Sequence, residues 1–119
     1  MHPHIVPLTR VEEFDSALAQ SADTPVLLFK HSYSCGTSAE ALDEVIAHLD
    51  DGGPQVPTFM VTVQTHRDVS NAVASRLGIR HETPQALLIR DGRIVWSASH
   101  FRVTASALRA AIESQRLAA

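Results

Sequence analysis

The stretch from Val26 to Leu49 constrains this chain more than any other. An apolar run, Val26-Leu-Leu-Phe-Lys30, passes through a short polar turn directly into a helical pattern. The run is rich in strand formers and bounded by turn residues, which suits a strand covered on both faces, as in an α/β sheet. The turn leads to the chain's only cysteine, Cys35. A thiol at the mouth of a helix sits where aligned amide dipoles favour a thiolate. The spacing allows the helix to begin at Cys35, or with Thr37 as N-cap and Glu40 at the third helical position. Ala41, Leu42, Val45, Ile46 and Leu49 form its apolar stripe, and Asp50-Asp-Gly-Gly-Pro54 stops it.

The flanking elements extend this unit. Thr9-Arg-Val-Glu12 has capping-box spacing, and Val11, Phe14 and Leu18 recur at helical intervals, predicting a first helix over about residues 10–20. Thr58 to Val63 reads as a second strand. A helix follows from Asp68 or Val69, with Val69, Ala72, Val73 and Leu77 on one face and Gly78 as its stop. The crossover is long enough to make the two strands parallel. Gln85–Arg90 and Arg93–Ala98 then flank Asp91-Gly92, a strong signal for a two-residue hairpin. Thr104 is placed to cap a last helix through about Leu117, with Ala107, Leu108, Ala111 and Ile112 inward. The predicted architecture is α/β and thioredoxin-like. It has a mixed four-stranded sheet, built from βαβ, a β-hairpin and a C-terminal helix, with an extra N-terminal helix.

At 119 residues the chain fits a single domain, 1–119, able to bury a core without a disulfide or metal. One cysteine cannot form an intramolecular disulfide, which excludes a disulfide-stapled secreted scaffold and suits a reducing compartment. The amino terminus has neither a basic nor an apolar signal region, and no segment approaches a membrane span. A cytoplasmic protein is therefore expected. A net charge of −3 without a Lys/Arg run gives no footprint for nucleic acid.

Cys35 lies among His31, Ser32, Tyr33, Ser34, Gly36, Thr37 and Ser38, a polar and exposable setting, and Lys30 or His31 is placed to add positive charge. Ser38 stands three residues after Cys35, where a dithiol oxidoreductase has its second cysteine. A hydroxyl hydrogen-bonds a thiolate but cannot resolve a mixed disulfide, so the chemistry is monothiol. Thr83-Pro84 falls immediately before the hairpin, where the thioredoxin fold places a cis-proline beside its thiol. The Thr83 backbone is then free to pair with an extended substrate. The seven histidines are scattered, and no Cys/His cluster has zinc spacing. His48 and most others read as surface or loop residues, with His31 and His81 expected near the thiol. Trp96 reads as packing on the hairpin.

Phe29-Lys-His-Ser-x-x-Cys35, Val63-Gln64, Val69-Ser-Asn71, Gly78-Ile-x-His-Glu-Thr-Pro-Gln85 and Trp96-x-Ala-Ser-His100 together resemble the monothiol bacilliredoxins, the YtxJ-type proteins of the bacillithiol system. The likeness extends over nearly the whole chain. It implies a cytoplasmic thiol-disulfide oxidoreductase that removes bacillithiol from bacillithiolated proteins, with Cys35 as nucleophile. Bacillithiol is then a co-substrate, with no tightly bound cofactor or metal and no nucleic-acid or membrane partner. Thr83 and Pro84, with Gly36, Thr37 and His81, become the substrate-contacting positions, while His31, Ser38 and Lys30 tune or steady the sulfur. One departure is local: family members often carry Cys-Pro-Ile-Ser where this chain has Cys35-Gly-Thr-Ser38. The change moves the motif towards the Cys-Gly-Phe-Ser of monothiol glutaredoxins, which use glutathione or share an iron-sulfur cluster. The non-catalytic alternative is a thioredoxin-like interaction module.

Overall fold

A computed structural model describes residues 2–52 and 54–117. Its centre is strand β2 (Val26–His31), buried from Val26 through Lys30 because helices cover both faces of the sheet. On one side β2 pairs in parallel with β3 (Thr58–Thr62), and on the other it runs antiparallel to β4 (Gln85–Arg90). β4 turns at Asp91-Gly92 into β5 (Arg93–Ser99). Both turn residues have positive φ, 53° and 71°, the backbone that an Asp-Gly hairpin requires. The helices are α1 (Val11–Gln20), α2 (Gly36–Asp50), α3 (Arg67–Leu77) and α4 (Ala105–Leu117).

Among the described residues the sheet has five strands, in the order β1-β3-β2-β4-β5, where the sequence predicts four. The missed strand is β1 (Ile5–Pro7), which pairs in parallel with β3 through Ile5–Thr58, Val6–Phe59 and Pro7–Met60. Three residues ending in proline carry no usable alternation. This edge strand exists because β3 offers it a hydrogen-bonding partner, a non-local cause that no window of sequence reports. What precedes β2 is thus a strand and a helix, not a helix alone. The capping box of α1 also lies one residue later than expected. Glu13, not Glu12, accepts from Thr9 N–H at 2.8 Å and Arg10 N–H at 3.0 Å.

Period-two alternation along β2 and β4 divides the core. Leu27, Phe29, Ala86 and Leu88 face α2 and α4, meeting Ala41, Val45, Leu108 and Ile112. Val26, Leu28, Leu87 and Ile89 face α1 and α3, meeting Phe14, Val69 and Val73. Ser21, fully buried just past α1, fixes the hairpin to this second layer. Its carbonyl accepts from Asp91 N–H at 2.8 Å and its hydroxyl from Gly92 N–H at 2.9 Å.

His48 corrects the expectation of a surface histidine: it lies on the buried face of α2, 1% exposed, and neither ring nitrogen has a hydrogen-bond partner among the described residues. Burial, and secondarily the charge of Arg109, holds its pKa below the ordinary value of 6.5. A folded pKa below the unfolded one means that the unfolded chain binds more protons as pH falls. Stability should therefore decline from about pH 6.5 downward and level off below the folded pKa. Burial lowers His31 and His81 in the same direction. His48→Leu is expected to stabilise the protein by about 1–2 kcal/mol, because it removes two unsatisfied polar atoms from the core. It should also flatten the loss between pH 7.5 and 5.5. Urea unfolding at the two pH values checks both effects, and an unchanged pH dependence would rule His48 out as its source.

Candidate functional site

The sheet delivers His31 to the edge of the core, and a turn of Ser32 to Ser34 carries the chain to α2. Cys35 is the N-cap of that helix, with extended φ −121° and ψ 121°. Its carbonyl accepts from Ala39 N–H at 3.1 Å, which settles the register left open by the sequence. Thr37 is the second helical residue, not the cap, and Ser38 is the third. The Cys35 side chain makes no capping hydrogen bond and is partly exposed.

Ser38 is fully buried beneath the turn. Its hydroxyl accepts from Ser32 N–H at 2.9 Å and lies 2.8 Å from His31 Nδ1. The His31 ring stacks on Phe29, with centroids 5.9 Å apart. Burial lowers the His31 pKa, so near neutral pH an unprotonated Nδ1 can accept the Ser38 hydroxyl proton. These contacts join the end of β2, the turn and the first turn of α2. The outer side of the turn is held by Gln64, which follows β3: its Nε2 donates to Ser32 Oγ at 2.6 Å and Ser34 Oγ at 3.0 Å.

Lys30 takes the other route. Alternation puts it on the α1/α3 side of the sheet, away from α2, and its side chain is fully buried. Its Nζ lies 2.6 Å from Nδ1 of His81, in the segment between α3 and β4. Ser70, on α3, approaches the same nitrogen at 3.5 Å. Lys30 and His31, adjacent in the chain, are thus directed to opposite faces of the sheet.

The Thr83-Pro84 peptide bond is cis. Pro84 is buried and Thr83 partly so. The β2–β4 register pairs Lys30 with Gln85, and its continuation brings Pro84 level with His31. The Pro84 carbonyl accepts from His100 N–H at 3.0 Å, which ties the residue to the 3₁₀ turn His100–Arg102 after β5. Between that turn and α2 lies a groove of about 440 Å³, lined by Thr37, Glu40, Asp43, Glu44, His100 and Phe101 among others. The Glu44 carboxylate accepts from Ala105 N–H at 2.9 Å, so it serves as a cap for α4. Tyr33, in the turn, and Phe101, in the 3₁₀ segment, are exposed.

The sequence-predicted residues thus form three groups. Cys35, Gly36 and Thr37 are contiguous at the start of α2; His31 and Ser38 are hydrogen-bonded beneath them; and Lys30 with His81 sits behind Thr83-Pro84. Ser32, Gln64, Ser70 and Gln85 make contacts that no sequence motif marks. The usable signal was position, since polar residues at strand ends and first helical turns are where buried side chains meet loop backbone.

A family model described as monothiol bacilliredoxin BrxC matches residues 6–108. The chain belongs to the monothiol bacilliredoxin family. Among solved structures, a candidate oxidoreductase with a thioredoxin fold is 28% identical, with a TM-score of 0.80 over 90% of this chain and 92% of that one. Thioredoxin from Fasciola hepatica, at 17% identity, aligns with a TM-score of 0.73 over 92% of this chain and 98% of its own. Thioredoxin O2 from Arabidopsis thaliana, at 23% identity, gives 0.71 over 96% of each. The bacilliredoxin chain therefore has the thioredoxin fold, and its family and fold are those of thiol-disulfide oxidoreductases. Among the described residues, no group of three or more His, Cys, Asp or Glu side chains is placed to hold a metal ion. No helix there is long and apolar enough to cross a membrane.

Proposed function

We propose that this bacilliredoxin removes bacillithiol from protein mixed disulfides by monothiol exchange at Cys35. The observation that carries the reading is the pairing of a lone, partly exposed cysteine at the N-cap of α2 with a serine, not a thiol, at position 38. The Cys35 thiolate attacks the bacillithiol sulfur of the mixed disulfide. A Cys35–bacillithiol disulfide forms, the original bond breaks, and the protein leaves as a thiolate that takes a proton from solvent. No net oxidation occurs in this step. A second bacillithiol, or a partner redox protein, then attacks the adduct and regenerates the Cys35 thiolate.

Bacillithiolated proteins enter as extended segments whose backbone pairs with Thr83 beside Pro84, in the manner of an added strand. Gly36, Thr37 and His81 border the same approach, and the reaction takes place in a reducing cytoplasm. Incubation with oxidised bacillithiol is expected to give one adduct, at Cys35, by intact mass and peptide mapping. Glutathione disulfide should react more slowly. No bacillithiol adduct, or a faster one with glutathione, would refute the assignment of the small thiol.

A further inference from the structure

Among the described residues, no hydrogen bond or ion pair joins Lys30 to a carboxylate, although its side chain is fully buried. Burial lowers its pKa to about 8, so it remains a cation at neutral pH. An ammonium only donates, and His81 Nδ1 must therefore accept, leaving the ring proton on Nε2. Burial, followed by the charges of Lys30 and Arg67, lowers the His81 pKa and keeps that tautomer neutral. The pair is self-consistent as charged lysine and neutral imidazole. A buried charge of this kind is a poor stability device, because an apolar chain of the same length fills the space without desolvating an ion.

The partner across β4 points to its use. Gln85 pairs directly with Lys30 and lies on the same face of the sheet. It is 2% exposed, and its Nε2 donates to the Arg80 carbonyl at 3.2 Å. Its Oε1 is buried without a hydrogen-bond partner among the described residues and lies on the face that carries the Lys30 ammonium. Neighbouring residues of two central strands thus grip consecutive residues of one loop: Gln85 holds the Arg80 backbone and Lys30 the His81 ring. Thr83-Pro84 begins two residues beyond. Ser70 and Arg67 close the arrangement from α3.

We propose that the buried Lys30 and Gln85 clamp the loop at Arg80 and His81, His81 itself being exposed, and so position the Thr83-Pro84 substrate-binding segment. The inference rests on the assignment of Thr83 and Pro84 to substrate binding. Lys30→Met and His81→Leu remove the two sides of the 2.6 Å contact. Each is expected to raise KM for a bacillithiolated peptide about tenfold, with a smaller change in kcat. His81→Gln, whose amide oxygen accepts from Nζ, should recover most of the loss. Alkylation of reduced Cys35 should stay within about twofold of wild type, because the clamp acts on the loop and not on the sulfur. Amide hydrogen exchange across Arg80 to Thr83 should accelerate in Lys30→Met and His81→Leu without any substrate, while the melting temperature of Lys30→Met does not fall.

An unchanged KM, unchanged exchange, or an alkylation rate that moves in parallel with KM would overturn the clamp. Wild-type protein inactive towards the peptide would instead sink the proposed function, and the substrate-free exchange measurement would still decide the clamp.

Discussion

Replacing Cys35 with serine is expected to reduce debacillithiolation of a model protein to the uncatalysed rate while leaving the fold at least as stable. The chain contains no other cysteine, so no second thiol can take over. Exchange needs a thiolate, and an unactivated serine hydroxyl supplies no comparable nucleophile at neutral pH. The loss should be on the order of a thousandfold or more, the scale at which removal of a nucleophile is felt in other enzymes. Stability should move the other way. Cys35 occupies the N-cap of α2 without making a capping hydrogen bond, and serine is among the best residues for that position. A gain of up to about 1 kcal/mol is therefore available. Activity assays and urea unfolding on the same preparation separate the two effects. Retained activity would remove Cys35 from the mechanism. Activity lost together with cooperative unfolding would locate the change in the helix start instead of the sulfur.

The elements that could be read from sequence are those whose cause is local. Alternation, an Asp-Gly turn and the αL glycine at position 78 determine their own backbone, and the hairpin and the end of α3 lie where the sequence puts them. β1 has no such cause. Its residues are ordered by β3, and only the assembled sheet supplies that partner. His48 fails for a related reason. Its position on α2 is compatible with either side of the stripe, and only the assembled fold makes it an interior residue.

In the candidate site, the sequence marks positions more readily than the contacts between them. Cys35 and the cis peptide at Pro84 follow from the strand–turn–helix and the residue before the hairpin. Lys30 shows the limit. Nearness in the chain suggests nearness to the sulfur, whereas the alternation that buries Leu28 towards α3 carries Lys30 to the same side. Gln64 and Ser70 come from elements remote in sequence, so their contacts depend on how β3 and α3 are laid against β2.

Ser38→Cys is expected to change the course of the reaction itself. Residues three apart in a first helical turn have Cβ atoms about 5–6 Å apart, and a small adjustment brings them to the ~4 Å of a disulfide. Attack by the introduced thiol on the adduct would then be intramolecular, with the advantage in effective concentration that orientation confers. The adduct at Cys35 should disappear in favour of an internal disulfide between Cys35 and the new thiol at position 38, and the small thiol should be released without a second molecule of it. The substitution also removes a buried hydroxyl that accepts from Ser32 N–H and meets His31 Nδ1. The reduced variant should therefore lose about 1–3 kcal/mol of stability. Ser38→Ala serves as the control, since it carries the same structural cost without a second thiol. Intact mass after exposure to oxidised bacillithiol reads the result directly. Wild type and Ser38→Ala should hold the adduct, and the cysteine variant should hold an internal disulfide. If all three retain the adduct equally, the side chain at position 38 does not face the reacting sulfur. Absence of a thiol there would then not be what makes the exchange monothiol.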